Sequence, residues 1–287
     1  MNKILIIVLL IFINNIVNAQ LPKTRILLIG NSLTQYKKNK MPDMLQSMLD
    51  ENKKNIEIAT FVMNGQSLYG FTHIKFLDKP NGFFRKNRGY TISGNDTTLP
   101  TVYQKIMNGN YDIVVLQERG NSILSYDYRK YEYYPSVKSL DSVINLSKAK
   151  TFIYESYPSF SNDSIKICPS SFFYKMQCSE VYKTLEQQYD TIKKSNEYIL
   201  NKINNEIFFI PIGYVSFKFN KLFPEIELVD KTGHPTKIFQ YIISSVFYVA
   251  LTNEQPKFYM QNNIDYKLKS KIREVVWSSY IEYIDRQ

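Results

Sequence analysis

The sequence predicts an α/β protein, a three-layer α/β/α sandwich on a five-stranded parallel sheet. Two observations carry this. Short, wholly apolar runs recur along the chain, and longer amphipathic stretches separate them. Strands buried on both faces read as unbroken apolar runs, and the crossover between two parallel strands needs a helix. With 287 residues, the chain is long enough to bury the core that such a sandwich needs.

The elements follow in order. Arg25–Ile29 (RILLI) is the first strand, and Met41–Asn52 the first helix, with apolar residues at three- and four-residue spacing. Strand Ile56–Met63 comes next. Helix Thr101–Met107 leads into strand Ile113–Leu116 (IVVL), and helix Ser136–Lys148 into strand Thr151–Tyr154. Helix Glu180–Ile203 precedes the fifth strand, Ile207–Ile210 (IFFI). Helices Thr236–Thr252 and Tyr266–Ile284 close the chain. Two stretches break the alternation and are expected as loops: Thr72–Leu99, and the tyrosine-rich Gly120–Pro135. Both follow carboxyl ends of predicted strands, where open α/β sheets bind ligands.

Residues 1–19 read as a signal peptide and 20–287 as one domain. The leader has Lys3, the apolar run Ile4 to Ile13, and Val17-Asn18-Ala19 as a small-residue cleavage site before Gln20. The apolar run is short for a membrane span, and no later stretch is long and apolar enough. A secreted or periplasmic protein without integral membrane association is expected. The net charge of +10 is scattered in short groups such as Lys37-Lys38-Lys40, so a solvated basic surface is favoured over a nucleic-acid partner. Cys168 and Cys178 lack metal-ligand spacing and in an oxidising compartment can pair as a local disulfide.

The first strand meets "GNSLT", Gly30 to Thr34. Ser32 there is either a helix cap, satisfying free N–H groups of a first turn, or a nucleophile on a strand-to-helix turn. A serine nucleophile needs a base, and only His73 and His234 are available. His234 lies in "ELVDKTGHPTKIFQ", with Asp230 four residues before it and Pro235 opening a helix. An Asp there can orient the imidazole. The alternative for His234 is a surface or capping histidine ahead of a Pro-initiated helix.

Together these segments resemble the SGNH/GDSL hydrolase superfamily. Gly30, Asn31, Ser32, Leu33 and Thr34 match its first block, and His234-Pro235 its last. The middle blocks are similar to a secreted bacterial branch. "NGQSLYGFTHI" holds Gly65, Ser67, Leu68 and His73, and "YDIVVLQERGN" holds Leu116, Gln117 and Glu118 in place of the commoner Gly-x-Asn-Asp. The resemblance spans Arg25 to Thr252 in order. It implies a flavodoxin-like sandwich and acyl transfer to water. Ser32 is then the nucleophile, His234 the base and Asp230 its orienting acid. The oxyanion donors are the backbone N–H groups of Ser32 and Gly65 with the Gln117 side chain, or Asn121 instead.

The family's acid stands three residues before its histidine. Here that position is Lys231; one extra loop residue can still bring Asp230 to the imidazole, and otherwise the site runs as a Ser–His dyad or uses another acid. His73 is a substrate contact or a satisfied core histidine, and Glu118 orients a loop or Gln117. No metal or organic cofactor is implied. The implied substrate is an acylated small molecule or polysaccharide, an O-acetyl ester on carbohydrate above all. The alternatives are a non-catalytic carbohydrate-binding protein on the same fold and an O-acyltransferase.

Overall fold

The structure is a computed structural model that describes residues 22–36, 39–62, 65–72, 83–86, 89–91, 101–160, 163–169, 175–256 and 263–286. The predicted leader and His73 lie outside the described residues. Five parallel strands form the body of the sheet: β1 (Thr24–Gly30), β2 (Ile56–Val62), β5 (Ile113–Gln117), β6 (Lys150–Tyr154) and β7 (Ile207–Ile210). A hairpin, β3 (Phe83–Lys86) and β4 (Gly89–Thr91), adds two antiparallel strands beside β2. The spatial order is β7-β6-β5-β1-β2-β3-β4. The hairpin falls inside the stretch expected to be a loop, which is a correction. Its Gly, Asn and Lys content hid a strand pair at the sheet edge.

Alternation along β1 explains the two layers of core. Ile26 and Leu28 face one side, with α1 (Met41–Glu51), α6 (Ile212–Leu222), α7 (Lys237–Thr252) and α8 (Tyr266–Ile284). Leu27 and Ile29 face the other. There they meet α2 (Leu68–Thr72), α3 (Val102–Asn108), α4 (Tyr134–Leu146) and α5 (Leu185–Lys202). Each such side chain, withdrawn from water, contributes roughly 1.5–3 kcal/mol. Helix α3 begins with a capping box: Thr101 Oγ1 accepts from Gln104 N, and Gln104 Oε1 accepts from Thr101 N. Among the described residues no helix is long and apolar enough to cross a membrane.

Two further corrections concern helices. Gly120–Pro135 is not a loop. It runs as a 3-10 turn (Gly120–Leu124), a short helix capped by Ser125, and a π-helical stretch (Arg129–Tyr133) that merges into α4. Pro135 has no N–H to give the preceding turn, so the ladder is interrupted where the helix widens. Tyr128 and Tyr133 from this segment are buried, whereas Tyr126 is exposed. Helix α6 is not among the elements expected from the sequence. Pro211, Gly213 and its β-branched and aromatic residues disfavour a helix locally, and packing overrides that. Gly213 has a specific reason to be there: a β-carbon on it would lie 2.1 Å from the Ser156 carbonyl oxygen.

Cys168 and Cys178 are joined as a disulfide with Cα atoms 4.1 Å apart. Their loop docks on the helical stretch after β5. Ser125 Oγ donates to the Gln177 carbonyl at 3.1 Å, and Tyr182 Oη to that of Leu124 at 2.8 Å.

Candidate active site

Strand β1 has neighbours β2 and β5 on opposite sides, so the chain changes winding direction next to it. That is where a crevice opens at the carboxyl ends of an open α/β sheet. The turn Asn31–Thr34 sits there. It is Asn31, not Ser32, that caps it. Asn31 Oδ1 accepts from Leu33 N at 3.0 Å, and the Asn31 carbonyl accepts from Thr34 N and Gln35 N at 3.0 and 3.2 Å. The Ser32 hydroxyl is thereby left to face the loop before α7. Its Oγ lies 3.1 Å from His234 Nε2, across 202 positions of sequence.

Gln117 supports this turn from below. It is buried, and its Oε1 accepts from Asn31 N at 2.9 Å and from Thr34 Oγ1 at 3.1 Å. Its Nε2 donates to the Glu118 carbonyl. Gln117, expected among the oxyanion donors, has both ends of its amide hydrogen-bonded behind the Asn31–Thr34 turn. Gly30 makes this possible, since a β-carbon there would come within 2.6 Å of both Gln117 Oε1 and Thr34 Oγ1.

The backbone donors lie differently. The N–H groups of Ser32 and Gly65 find no acceptor among the described residues. Gly65 takes a left-handed conformation (φ +73°) in open space, and Asn31 Nδ2 ties its neighbour to the turn through the Gln66 carbonyl at 2.8 Å. Asn121, the other oxyanion candidate, follows Gly120, where an added β-carbon would lie 3.8 Å from Leu33 Cδ1. Its buried Oδ1 finds no donor among the described residues.

Glu118 is buried beneath the same surface. Its Oε1 accepts from Leu68 N at 3.3 Å, from Tyr128 Oη at 2.8 Å and from Arg119 N. Burial raises its pKa to about 7 against the pull of these donors. It joins the second block, the third block and the tyrosine segment without reaching Ser32 or His234.

The Asp230 carboxylate is held by its own turn. Its Oδ1 accepts from Thr232 N at 2.8 Å, Thr232 Oγ1 at 2.6 Å and His234 N at 3.1 Å. Thr232 Oγ1 in turn lies 2.8 Å from His234 Nδ1. The physical reason is the extra residue: the chain folds tightly from Asp230 to His234, with Gly233 at φ +78°, and the carboxylate turns onto its own turn. Donors from Thr232 hold the Asp230 carboxyl below its ordinary value. Sequence reasoning placed Asn31 and Thr34 in the first motif block without giving them a role, and it missed Thr232. For Thr232 the only signal was a hydroxyl two residues before the histidine. Among the described residues no group of three or more His, Cys, Asp and Glu is placed to hold a metal ion.

No protein-family profile matches the chain, and no curated protein does. Solved structures do. The chain is similar to a DUF4886 family protein from Bacteroides uniformis at 16% identity and TM-score 0.66, over 92% of this chain and 96% of that one. The likeness is one of fold. More distant matches include a GDSL-like lipase from Bacteroides thetaiotaomicron, at 16% identity and TM-score 0.46 over 84% and 95% of the two chains. Another is a carbohydrate esterase family 3 protein from Talaromyces cellulolyticus, at 10% identity and TM-score 0.44 over 80% and 97%.

Proposed function

We propose that this chain is an SGNH-type serine esterase, exported from the cell, that hydrolyses O-acetyl esters on carbohydrate. The observation that carries the reading is the 3.1 Å approach of Ser32 Oγ to His234 Nε2, at the carboxyl end of β1. Capping by Asn31 leaves that hydroxyl available. The substrate class and export rest on the leader and on the four motif blocks.

In the proposed reaction, Ser32 Oγ attacks the ester carbonyl carbon while its proton passes to His234 Nε2. The carbonyl oxygen becomes an oxyanion facing the backbone N–H groups of Ser32 and Gly65. Donors fixed in advance in this way can each lower the barrier by roughly 3 kcal/mol. Collapse breaks the C–O bond to the alcohol, which takes the proton from Nε2. Water then attacks the acyl-enzyme, with His234 as base, and releases acetate and free Ser32.

The test is acetate release by the purified protein from 4-nitrophenyl acetate and a panel of acetylated polysaccharides, beside Ser32→Ala. Turnover that disappears in Ser32→Ala supports the esterase. A wild-type protein that binds acetylated glycans but cleaves no ester would replace this reading with a carbohydrate-binding one.

A further inference from the structure

We infer that Thr232 is a positioning residue of this site: its hydroxyl bridges the Asp230 carboxylate to the His234 imidazole. The inference rests on the esterase reading for its catalytic meaning, and on geometry alone for the bridge.

A proton count fixes the direction of the bridge. To accept from Ser32, His234 Nε2 must be bare, so the neutral ring carries its hydrogen on Nδ1. That N–H points at Thr232 Oγ1, 2.8 Å away, and needs an acceptor there. The threonine has one hydroxyl hydrogen, and Asp230 Oδ1 lies 2.6 Å from the same oxygen. An ionised carboxylate accepts only. The hydroxyl hydrogen therefore goes to Asp230 and a lone pair takes the Nδ1–H. The opposite arrangement puts the hydroxyl hydrogen on Nδ1. It leaves two acceptor oxygens facing each other at 2.6 Å with no hydrogen between them.

When His234 takes the Ser32 proton, the ring becomes an imidazolium with both N–H groups donating. The Nδ1–H stays in place, and the hydroxyl, polarised by Asp230, stabilises the new charge. No proton leaves Nδ1. The threonine is held at two points on one carboxylate, through its backbone N–H and its hydroxyl, so its rotamer follows the Asp230 turn. Burial first, and then the Asp230 charge, make the hydroxyl proton of nearby Tyr157 harder to remove. The bridge is exposed, so its effect is smaller than that of a buried acid.

The experiment compares Thr232→Val, Thr232→Ser and Asp230→Ala in the whole protein. Valine keeps the shape and removes the acceptor. In Thr232→Val, kcat is expected to fall roughly ten- to a hundredfold with KM unmoved. In Thr232→Ser, kcat stays within about threefold of wild type, because the hydroxyl is retained. The double variant Thr232→Val/Asp230→Ala is no worse than the poorer single one, since the two residues act as one unit. A Thr232→Val enzyme as fast as wild type overturns the inference. A second measurement needs no turnover. Nitrogen-15 NMR of histidine-labelled protein, with the signal assigned by its loss in His234→Gln, should show the Nδ1–H tautomer in wild type. Thr232→Val should shift the ring toward Nε2–H. A wild-type ring already in the Nε2–H form overturns the bridge whether or not any ester is cleaved. Absent turnover with the Nδ1–H form present instead overturns the esterase alone.

Discussion

The two halves of the candidate site are built in opposite ways. The Asn31–Thr34 turn rests on a buried polar network: Asn31, Thr34 and Gln117 are each almost fully shielded from water, and Gly30 leaves room for the amide. The histidine loop hangs on its own hydrogen bonds. Its Asp230–Thr232 contacts are exposed, and Gly233 supplies the reversal. One half is positioned by the sheet and the other by five residues of local turn. A buried polar network is costly to break because every orphaned group stays dry, whereas an exposed turn can be rescued by solvent. The buried half should therefore fail through stability and the exposed half through rate alone.

The largest expected effect joins the halves. Ser32→Ala and His234→Ala should each lower turnover by roughly a thousandfold or more, and the double variant should do no further harm. Neither should shift the melting temperature much, as neither side chain is deeply buried. Kinetics and thermal melts of the three proteins check this. Additive losses would mean that the two residues do not act as one unit.

Next comes Gln117→Ala. It orphans Asn31 N–H and the Thr34 hydroxyl in a dry site and opens a cavity, at a cost of about 2–4 kcal/mol. Chemical denaturation measures it. If stability holds and only activity falls, Gln117 faces substrate after all, and the division between the halves collapses.

Glu118 sharpens the same side through pH. Its folded pKa, about 7, exceeds the ordinary 4.5, so the native chain keeps a proton that the unfolded chain releases. The stability from this group is complete below about pH 4.5 and is lost as pH rises through 7, about 3 kcal/mol in all. Burial is the main cause of that value, and like-charge repulsion from Glu132 is a minor part of it. Glu118→Gln, which mimics the neutral acid, should match wild type at pH 5 and exceed it at pH 8.5. Melting temperatures across that range decide it. Parallel curves would show that Glu118 does not titrate there.

The contrast also explains what could be read in the sequence. The five parallel strands were legible because each carries a short, mostly apolar run, a pattern set by burial on both faces. Ser32 and His234 were legible because each stands in a motif with its own neighbours. Helix Ile212–Leu222 was not, since Pro211 and Gly213 argue locally against a helix that packing against Glu155 and Ser156 requires. The role of Gln117 was hidden because spacing places a residue at a strand end without saying which way its amide points. Thr232 was invisible for a further reason. Its hydroxyl has a function only once the turn from Asp230 to His234 has closed, and that closure depends on a glycine whose φ no pattern displays.

The smallest effect belongs to that glycine. Gly233 has φ +78°, and a β-carbon on it would touch nothing within 4 Å. Gly233→Ala therefore costs only the strain of a left-handed alanine, about 1 kcal/mol. In an exposed loop, part of that strain is relieved by the turn opening, so the global melting point should move by no more than a few degrees. What the open turn loses is the register between Asp230, Thr232 and the ring. The rate should fall severalfold while stability barely changes, the reverse of Gln117→Ala. Gly233→Asn separates strain from shape, because asparagine enters the left-handed region more readily than alanine. Its rate should lie between alanine and wild type. If alanine instead unfolds the protein as far as Gln117→Ala does, the histidine loop is no autonomous turn. Both halves would then be held by the core.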